Sequence, residues 1–170
     1  MRTISRSTIL TTLVVLVLLA TLPSAILRIL RTNDLYLFGQ RFFEDMLARL
    51  SGPGRLRFIV QPTVAVFLGS RDGLKDARAG TPPFLWALAF HGEHRKQLLR
   101  SALVSVRDLV ALAILLDLLS QFLIFREIHP AAALILGPVL ISMPYAVARA
   151  LANRIAHKRG KQTTVNSAGK

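Results

Sequence analysis

Runs of apolar residues separated by cationic ones organise this chain. Residues 7–27 give 21 successive positions without a charge, bracketed by Arg6 and Arg28 and centred on LTTLVVLVLLATL. As a helix this run is about 30 Å long, the thickness of a bilayer's hydrocarbon core. Arg2 and Arg6 also resemble the basic start of a secretory signal. Against that reading, Pro23-Ser24-Ala25 is a poor cleavage site and apolar residues resume at Ile26. The run is read as an uncleaved transmembrane helix.

Two further runs form a pair. Residues 108–125 are apolar after Asp108 except for Asp117, Ser120 and Gln121, and residues 131–148 carry no charge. Between them lie Arg126, Glu127 and His129, and Pro130 suits the first turn of a new helix. The two runs predict an antiparallel hairpin, its second helix kinked at Pro138 and Pro144. Residues 57–70 are the short candidate. Only 58–70 is uncharged, about 20 Å of helix, and Pro62 interrupts it. It spans if Arg57 and Arg71 snorkel to opposite interfaces and the helix continues to Ala79; otherwise it re-enters on one face.

The predicted architecture is an all-α integral membrane protein of four spans, the second short or re-entrant. Basic residues gather more strongly on one side if that segment re-enters and the N-terminus lies outside. That topology would have to translocate Met1, Arg2 and Arg6, and four spans are preferred. The C-terminus is placed in the cytoplasm by Arg149, Arg154, Lys158, Arg159 and Lys161, which all follow the last span.

Two segments read as surface helices, 34–50 and 94–107. The first, capped by Asn33 or Asp34, repeats Leu35, Phe38, Phe42, Met46 and Leu50 on one face, widened by Phe43 and Leu47. Arg41, Asp45 and Arg49 form its polar side. It rests in the headgroup layer, on a partner, or on the protein's own bundle. The second carries Leu98, Leu99, Ala102, Leu103 and Val106 on one face with Arg95, Lys96 and Arg100 off it, a basic helix leading into a span. Residues 160–170 are polar and expected to be disordered, leaving 1–159 as a single helical domain.

Composition sharpens this picture. The 170 residues are 52% hydrophobic and carry a net charge of +13, a combination that suits apolar blocks set between cationic anchors. Anionic lipid headgroups are the expected partner, together with a membrane-protein partner or further copies of the chain. Nucleic acid is not expected, because the charges bracket apolar spans and form no stripe with interleaved aromatics. The absence of cysteine excludes disulfides, cysteine-ligated metal and thiol nucleophiles. No phosphate loop, H-E-x-x-H or G-x-S-x-G motif occurs, and no cofactor is expected.

The densest polar cluster runs from Arg71 through Asp72, Lys75, Asp76 and Arg78 to Gly80, followed by Thr81-Pro82-Pro83. Asp72 and Asp76, four apart, share a helix face and could hold Mg²⁺ against a phosphate. The plainer reading is a solvated run in which Arg71, Lys75 and Arg78 neutralise the carboxylates and Gly80 ends the helix. The cluster superficially resembles the D-x-x-D-G-x-x-A-R signature of CDP-alcohol phosphatidyltransferases. It departs at Gly69, where that family has aspartate, and at Asp76 and Ala77, where it has alanine and arginine. The family's downstream aspartate pair is also missing.

Asp117 lies in mid-span, where a carboxylate costs about 2.5–3.5 kcal/mol on insertion scales. Gln121 shares its face and Ser120 is close by. Two roles are open: a proton or cation relay, or a hydrogen bond from a protonated acid to Gln61, Ser142 or Tyr145. Arg107-Asp108 reads as an interfacial ion pair, and His91 with His94 as a weak H-x-x-H pair.

The stretch RFIVQPTVAVFLGSRDGLKDARAGTPPFLW, residues 57–86, is similar to one in small, uncharacterised bacterial inner-membrane proteins that also have a terminal hairpin of spans and a basic C-terminus. The resemblance implies a bacterial inner-membrane location and brings no activity with it. Three functions follow from the residues: a non-enzymatic lipid- or partner-binding membrane component, which is favoured; a subunit of an oligomeric transporter or channel using Asp117; and a metal-dependent lipid-phosphate enzyme using Asp72 and Asp76.

Overall fold

A computed structural model describes residues 5–32, 39–52, 55–90 and 92–168, with backbone alone for 32, 94 and 160–168. The helices are α1 (Arg6–Thr32), α2 (Gln40–Ser51), α3 (Arg57–Arg78), α4 (Phe84–Phe90), α5 (Gly92–Phe125) and α6 (Pro130–Ala168). About 90% of the described residues are helical, and no strand occurs among them. Three stretches among these residues are long and apolar enough to cross a membrane: Arg6–Arg31, Arg95–Phe125 and Pro130–Arg159. Large apolar side chains also point outward, among them Leu16, Leu19, Phe67 and Met143. Water does not tolerate so much exposed hydrocarbon on a monomer, whereas lipid does. The chain is a helical membrane protein.

Several boundaries differ from expectation. The basic helix at 94–107 and the span at 108–125 form one continuous α5, because nothing in 92–125 breaks a helix. α3 runs through Pro62 to Arg78, close to the continuation to Ala79 on which a spanning segment here depended, so its apolar run is the first part of a 22-residue helix. α2 begins at Gln40 behind Gly39, which caps it without a side-chain hydrogen bond. The proposed cap and first face residues, Asn33, Asp34, Leu35 and Phe38, lie outside the described residues. α6 continues to Ala168, into the segment expected to be disordered. α3 ends in a Schellman turn. Gly80 takes φ +70°, its N–H bonds to the Ala77 carbonyl, and the Thr81 N–H bonds to that of Asp76.

Contacts gather the chain into two compact units, and α3, α5 and α6 contribute to both. Unit 1 holds the described residues up to Gln61 together with Arg107–Ile141. There Val14, flanked by Leu10, Val17 and Leu18, packs on Ala111, Ile114 and Leu118 of α5 and Ala133 of α6. Ser7 Oγ donates to Asp108 Oδ2 at 2.8 Å, and Arg28 Nη1 lies 3.1 Å from Glu127 Oε2, so α1 runs in the same direction as α5. A Cβ added at Gly137 would lie 3.0 Å from Ile114 Cγ1, which marks how closely α6 returns past α5.

Unit 2 holds the described residues of 62–106 and those from Ser142 onward. Its defining contact is a Gly-x-x-x-Gly face on α3. Side chains at Gly69 and Gly73 would collide with the backbone carbonyls of Tyr145 and Arg149 on α6. Small residues at this spacing allow two helices to approach backbone to backbone. The matched order, 69 with 145 and 73 with 149, makes α3 and α6 parallel in this unit.

Candidate functional site

Each unit contains one buried polar cluster built around an aspartate–arginine pair. In unit 1 the centre is Asp117, 1% exposed on α5. Arg57 from the first turn of α3 hydrogen-bonds its Oδ1 directly. Arg49 Nη1 from α2 lies 3.6 Å from Oδ2, and Gln121 Nε2 donates to the same oxygen at 2.7 Å. The Gln121 carbonyl in turn accepts the backbone N–H of His129 at 2.6 Å, tying the start of α6 to α5.

This arrangement corrects several expectations. The partners of Asp117 are Arg49, Arg57 and Gln121, and Tyr145 bonds to Asp72 and Arg149. Arg57 does not snorkel to an interface, and Arg49 leaves the polar face of α2, because both are drawn to a carboxylate that water cannot reach. The expected apolar face of α2 is also rearranged. Phe42 is buried beside Arg49 on one side, while Phe43, Leu47 and Leu50 are exposed. Gln61 is buried, yet neither amide atom has a hydrogen-bond partner.

His129 lies in the turn between α5 and α6. Its Nε2 is 3.0 Å from Arg28 Nη1. Arginine can only donate, so Nε2 accepts and the ring is neutral. Burial first, and the Arg28 charge second, hold its pKa below the ordinary 6.5.

In unit 2 the centre is Arg149, 2% exposed on α6. It grips Asp76 with both ends of its fork, Nε to Oδ2 at 2.6 Å and Nη2 to Oδ1 at 3.0 Å. Nη1 donates to Tyr145 Oη at 3.0 Å, and Tyr145 donates onward to Asp72 Oδ2 at 2.8 Å. Nη2 also reaches Ser101 Oγ at 3.1 Å, and the guanidinium stands 4.6 Å over the Phe84 ring. Asn153 Nδ2 donates to the Thr81 carbonyl at 3.1 Å. The i, i+4 pair Asp72/Asp76 thus meets the i, i+4 pair Tyr145/Arg149, in the register set by Gly69 and Gly73. Burial pushes the Asp72 carboxyl up, but hydrogen bonds from Ser105, Tyr145 and Lys75 and the Lys75 charge outweigh it and hold it below the usual 3.8.

The local neutralisation expected for Asp72 and Asp76 is therefore replaced. Lys75 does pair with Asp72, at 3.3 Å, but the main partners come from α6. Arg71 and Arg78 are exposed, and Arg149 is a buried strut where a tail anchor was expected. Among the described residues no group of three acidic or histidine side chains converges. His91 lies outside the described residues, as does the His94 side chain. Arg107 and Asp108 form the expected pair, Nε to Oδ1 at 3.2 Å.

Unit 2 also displays an aromatic and basic strip. Leu85, Trp86 and Phe90 of α4 are exposed, and the Trp86 and Phe90 rings pack at a 40° tilt with centroids 4.2 Å apart. Arg95, Lys96 and Arg100 follow in the first turns of α5, also exposed. Of the partner residues missed in the sequence, Tyr145 and Arg149 had one available signal, since Gly69 and Gly73 share the spacing of Asp72 and Asp76; nothing comparable marks Arg49 and Arg57 as partners of Asp117. No protein-family model, curated protein or solved structure matches this chain.

Proposed function

We propose that this chain is a non-enzymatic, multi-pass component of a bacterial inner membrane that binds anionic lipid headgroups, with four spans and a cytoplasmic C-terminus. The observation that carries this reading is the exposed strip of Leu85, Trp86 and Phe90 beside Arg95, Lys96 and Arg100. Amphipathic aromatics settle at the headgroup level, and each nearby basic residue attracts an anionic surface by about 1 kcal/mol. A non-enzymatic role is supported by the acids themselves, since Asp72, Asp76 and Asp117 are all engaged by side chains from other helices.

Support for four spans comes from helix directions within each unit. In unit 1, Asp45 and Glu127 line one cleft. In unit 2, α3 runs beside α6 with Asp76 against Arg149. The resemblance of residues 57–86 supports the bacterial inner membrane, and Arg154, Lys158, Arg159 and Lys161 support a cytoplasmic C-terminus.

Trp86 is the single tryptophan, so it reports on this strip alone. In reconstituted bilayers, brominated phosphatidylglycerol should quench Trp86 more than brominated phosphatidylcholine, and Arg95→Gln/Lys96→Gln/Arg100→Gln should abolish that preference. Equal quenching by both lipids would exclude anionic headgroup binding. Full shielding from both would point to a protein partner. For topology, Asp45→Cys and Glu127→Cys should label from one side of the membrane, and Lys75→Cys and Gly160→Cys from the other.

A further inference from the structure

In unit 2, α6 and the loop before α4 form an open trough of about 650 Å³. Leu151, Arg154, Ile155 and Lys158 recur at i, i+3, i+4 and i+7, one face of α6, and Pro83 and His157 complete the lining. The walls are tied together: Asn153 Nδ2 donates to the Thr81 carbonyl at 3.1 Å and His157 Nε2 lies 3.4 Å from the same oxygen, which holds the Pro83 loop against α6. The surface is almost wholly hydrocarbon, so Arg154 and Lys158 line it with their stems and carry their charges at its rim. Both are exposed, and neither makes an ion pair or hydrogen bond among the described residues.

The charge around this trough has one sign. Glu127 is the last acid in the sequence, and the acids of unit 2 are Asp72, Asp76 and Glu93, none of which lines it. Asp72 and Asp76 are already taken by Tyr145 and Arg149. The rest of the unit, residues 91 and 169–170 and the side chains of 94 and 160–168, lies outside the described set but contains only histidine, lysine and uncharged residues, so it brings no carboxylate.

We propose that the trough seats one phospholipid of net negative charge, its phosphate at the rim between Arg154 and Lys158 and an acyl chain along Pro83, Leu151 and Ile155. The argument is charge complementarity joined to depth. Leu151 and Arg154 lie about 5 and 9 Å along the helix beyond residue 148, where the uncharged run ends, and that is headgroup level. A phosphate there meets two cations one helical turn apart, with the hydrocarbon trough directly beside them. A zwitterionic headgroup would bring an ammonium to the same rim, where no carboxylate receives it. The proposal rests on the lipid-binding reading above and adds to the strip on α4 and α5 a separate site that holds a single lipid.

The test is native mass spectrometry of the full chain, extracted from bilayers of equal phosphatidylglycerol, phosphatidylethanolamine and phosphatidylcholine and washed in delipidating detergent. One phosphatidylglycerol should persist per chain. Arg154→Gln/Lys158→Gln should lower its retention at least ~10-fold. Leu151→Trp, which fills the trough from an exposed position without touching the charges, should remove it as well. Arg95→Gln/Lys96→Gln/Arg100→Gln should leave it in place. Adducts in bulk proportion, no adduct at all, or phosphatidylglycerol retention unmoved by the α6 variants would each overturn the trough proposal, while Trp86 quenching still decides headgroup binding at the strip. Loss of the lipid in the Arg95/Lys96/Arg100 variant alone would assign it to the strip and overturn the trough. A dimer without lipid that Leu151→Trp dissociates would overturn it too, by making a second copy the occupant.

Discussion

The two buried clusters solve one problem with opposite charges. In unit 1 the acid Asp117 sits on the apolar helix α5 and is met by Arg49 and Arg57 from α2 and the start of α3. In unit 2 the base Arg149 sits on α6 and is met by Asp76 from α3. In both cases the charge on the long apolar helix is neutralised by one brought in from a less apolar helix. The difference lies in geometry and access. Unit 2 has a two-pronged pair, a tyrosine bridge and a backbone contact, and its aspartates keep 14–16% side-chain exposure. Unit 1 has one carboxylate, 2% exposed, between two guanidiniums, with an unpartnered amide at Gln61. Burial depth, more than the number of hydrogen bonds, should decide which cluster is costlier to break.

That comparison is tested most severely by Asp117→Asn. It leaves two guanidiniums without their carboxylate in a dry site and should cost about 3–5 kcal/mol, read as a fall in Tm in detergent micelles. Arg149→Met should cost less, about 2–3 kcal/mol, because Asp76 retains some contact with solvent. Arg149→Lys should recover only part of it, since an ammonium cannot make the two-pronged contact. If Arg149→Met proves the more damaging, geometry outranks depth and the comparison is reversed. Gly73→Ala should cost about 1–3 kcal/mol by forcing α3 away from the Arg149 carbonyl. Its effect and that of Asp76→Asn should be non-additive, because both act through one register.

Acid should separate the units. His129 has a folded pKa below 6.5, so the unfolded chain binds the proton first as pH falls. Its contribution is full above 6.5 and is lost as pH falls toward the folded value. Asp72 is held below 3.8, so its contribution is full above that value and is lost as pH falls through the folded pKa. A profile of Tm against pH should therefore weaken in two steps. His129→Gln should remove the upper step and Asp72→Asn the lower; a single step abolished by either variant would contradict the assignment. The smallest effect is expected from Gln61→Leu, neutral or stabilising by about 1 kcal/mol, because it removes two buried polar atoms that have no partner. A clear loss of stability there would mean that the amide has a polar neighbour after all.

Much of the architecture is written in local pattern. The apolar runs at 7–27, 108–125 and 131–148 all fall within helices long and apolar enough to span, because length and hydrocarbon content are properties of a segment alone. Gly80 was legible as a helix stop for the same reason: a left-handed residue after the last turn needs no distant contact. Asp117, Asp72 and Asp76 could be singled out as acids that must find partners. Who those partners are was decided by the tertiary structure. Arg57 lies 60 positions from Asp117, and Arg149 lies 73 from Asp76. Sequence spacing pairs residues only along one helix, whereas these ion pairs depend on which helix faces meet and how closely. That closeness is set by Gly69 and Gly73, whose missing side chains bring α3 against α6 and turn an exposed-looking charge run into a buried strut.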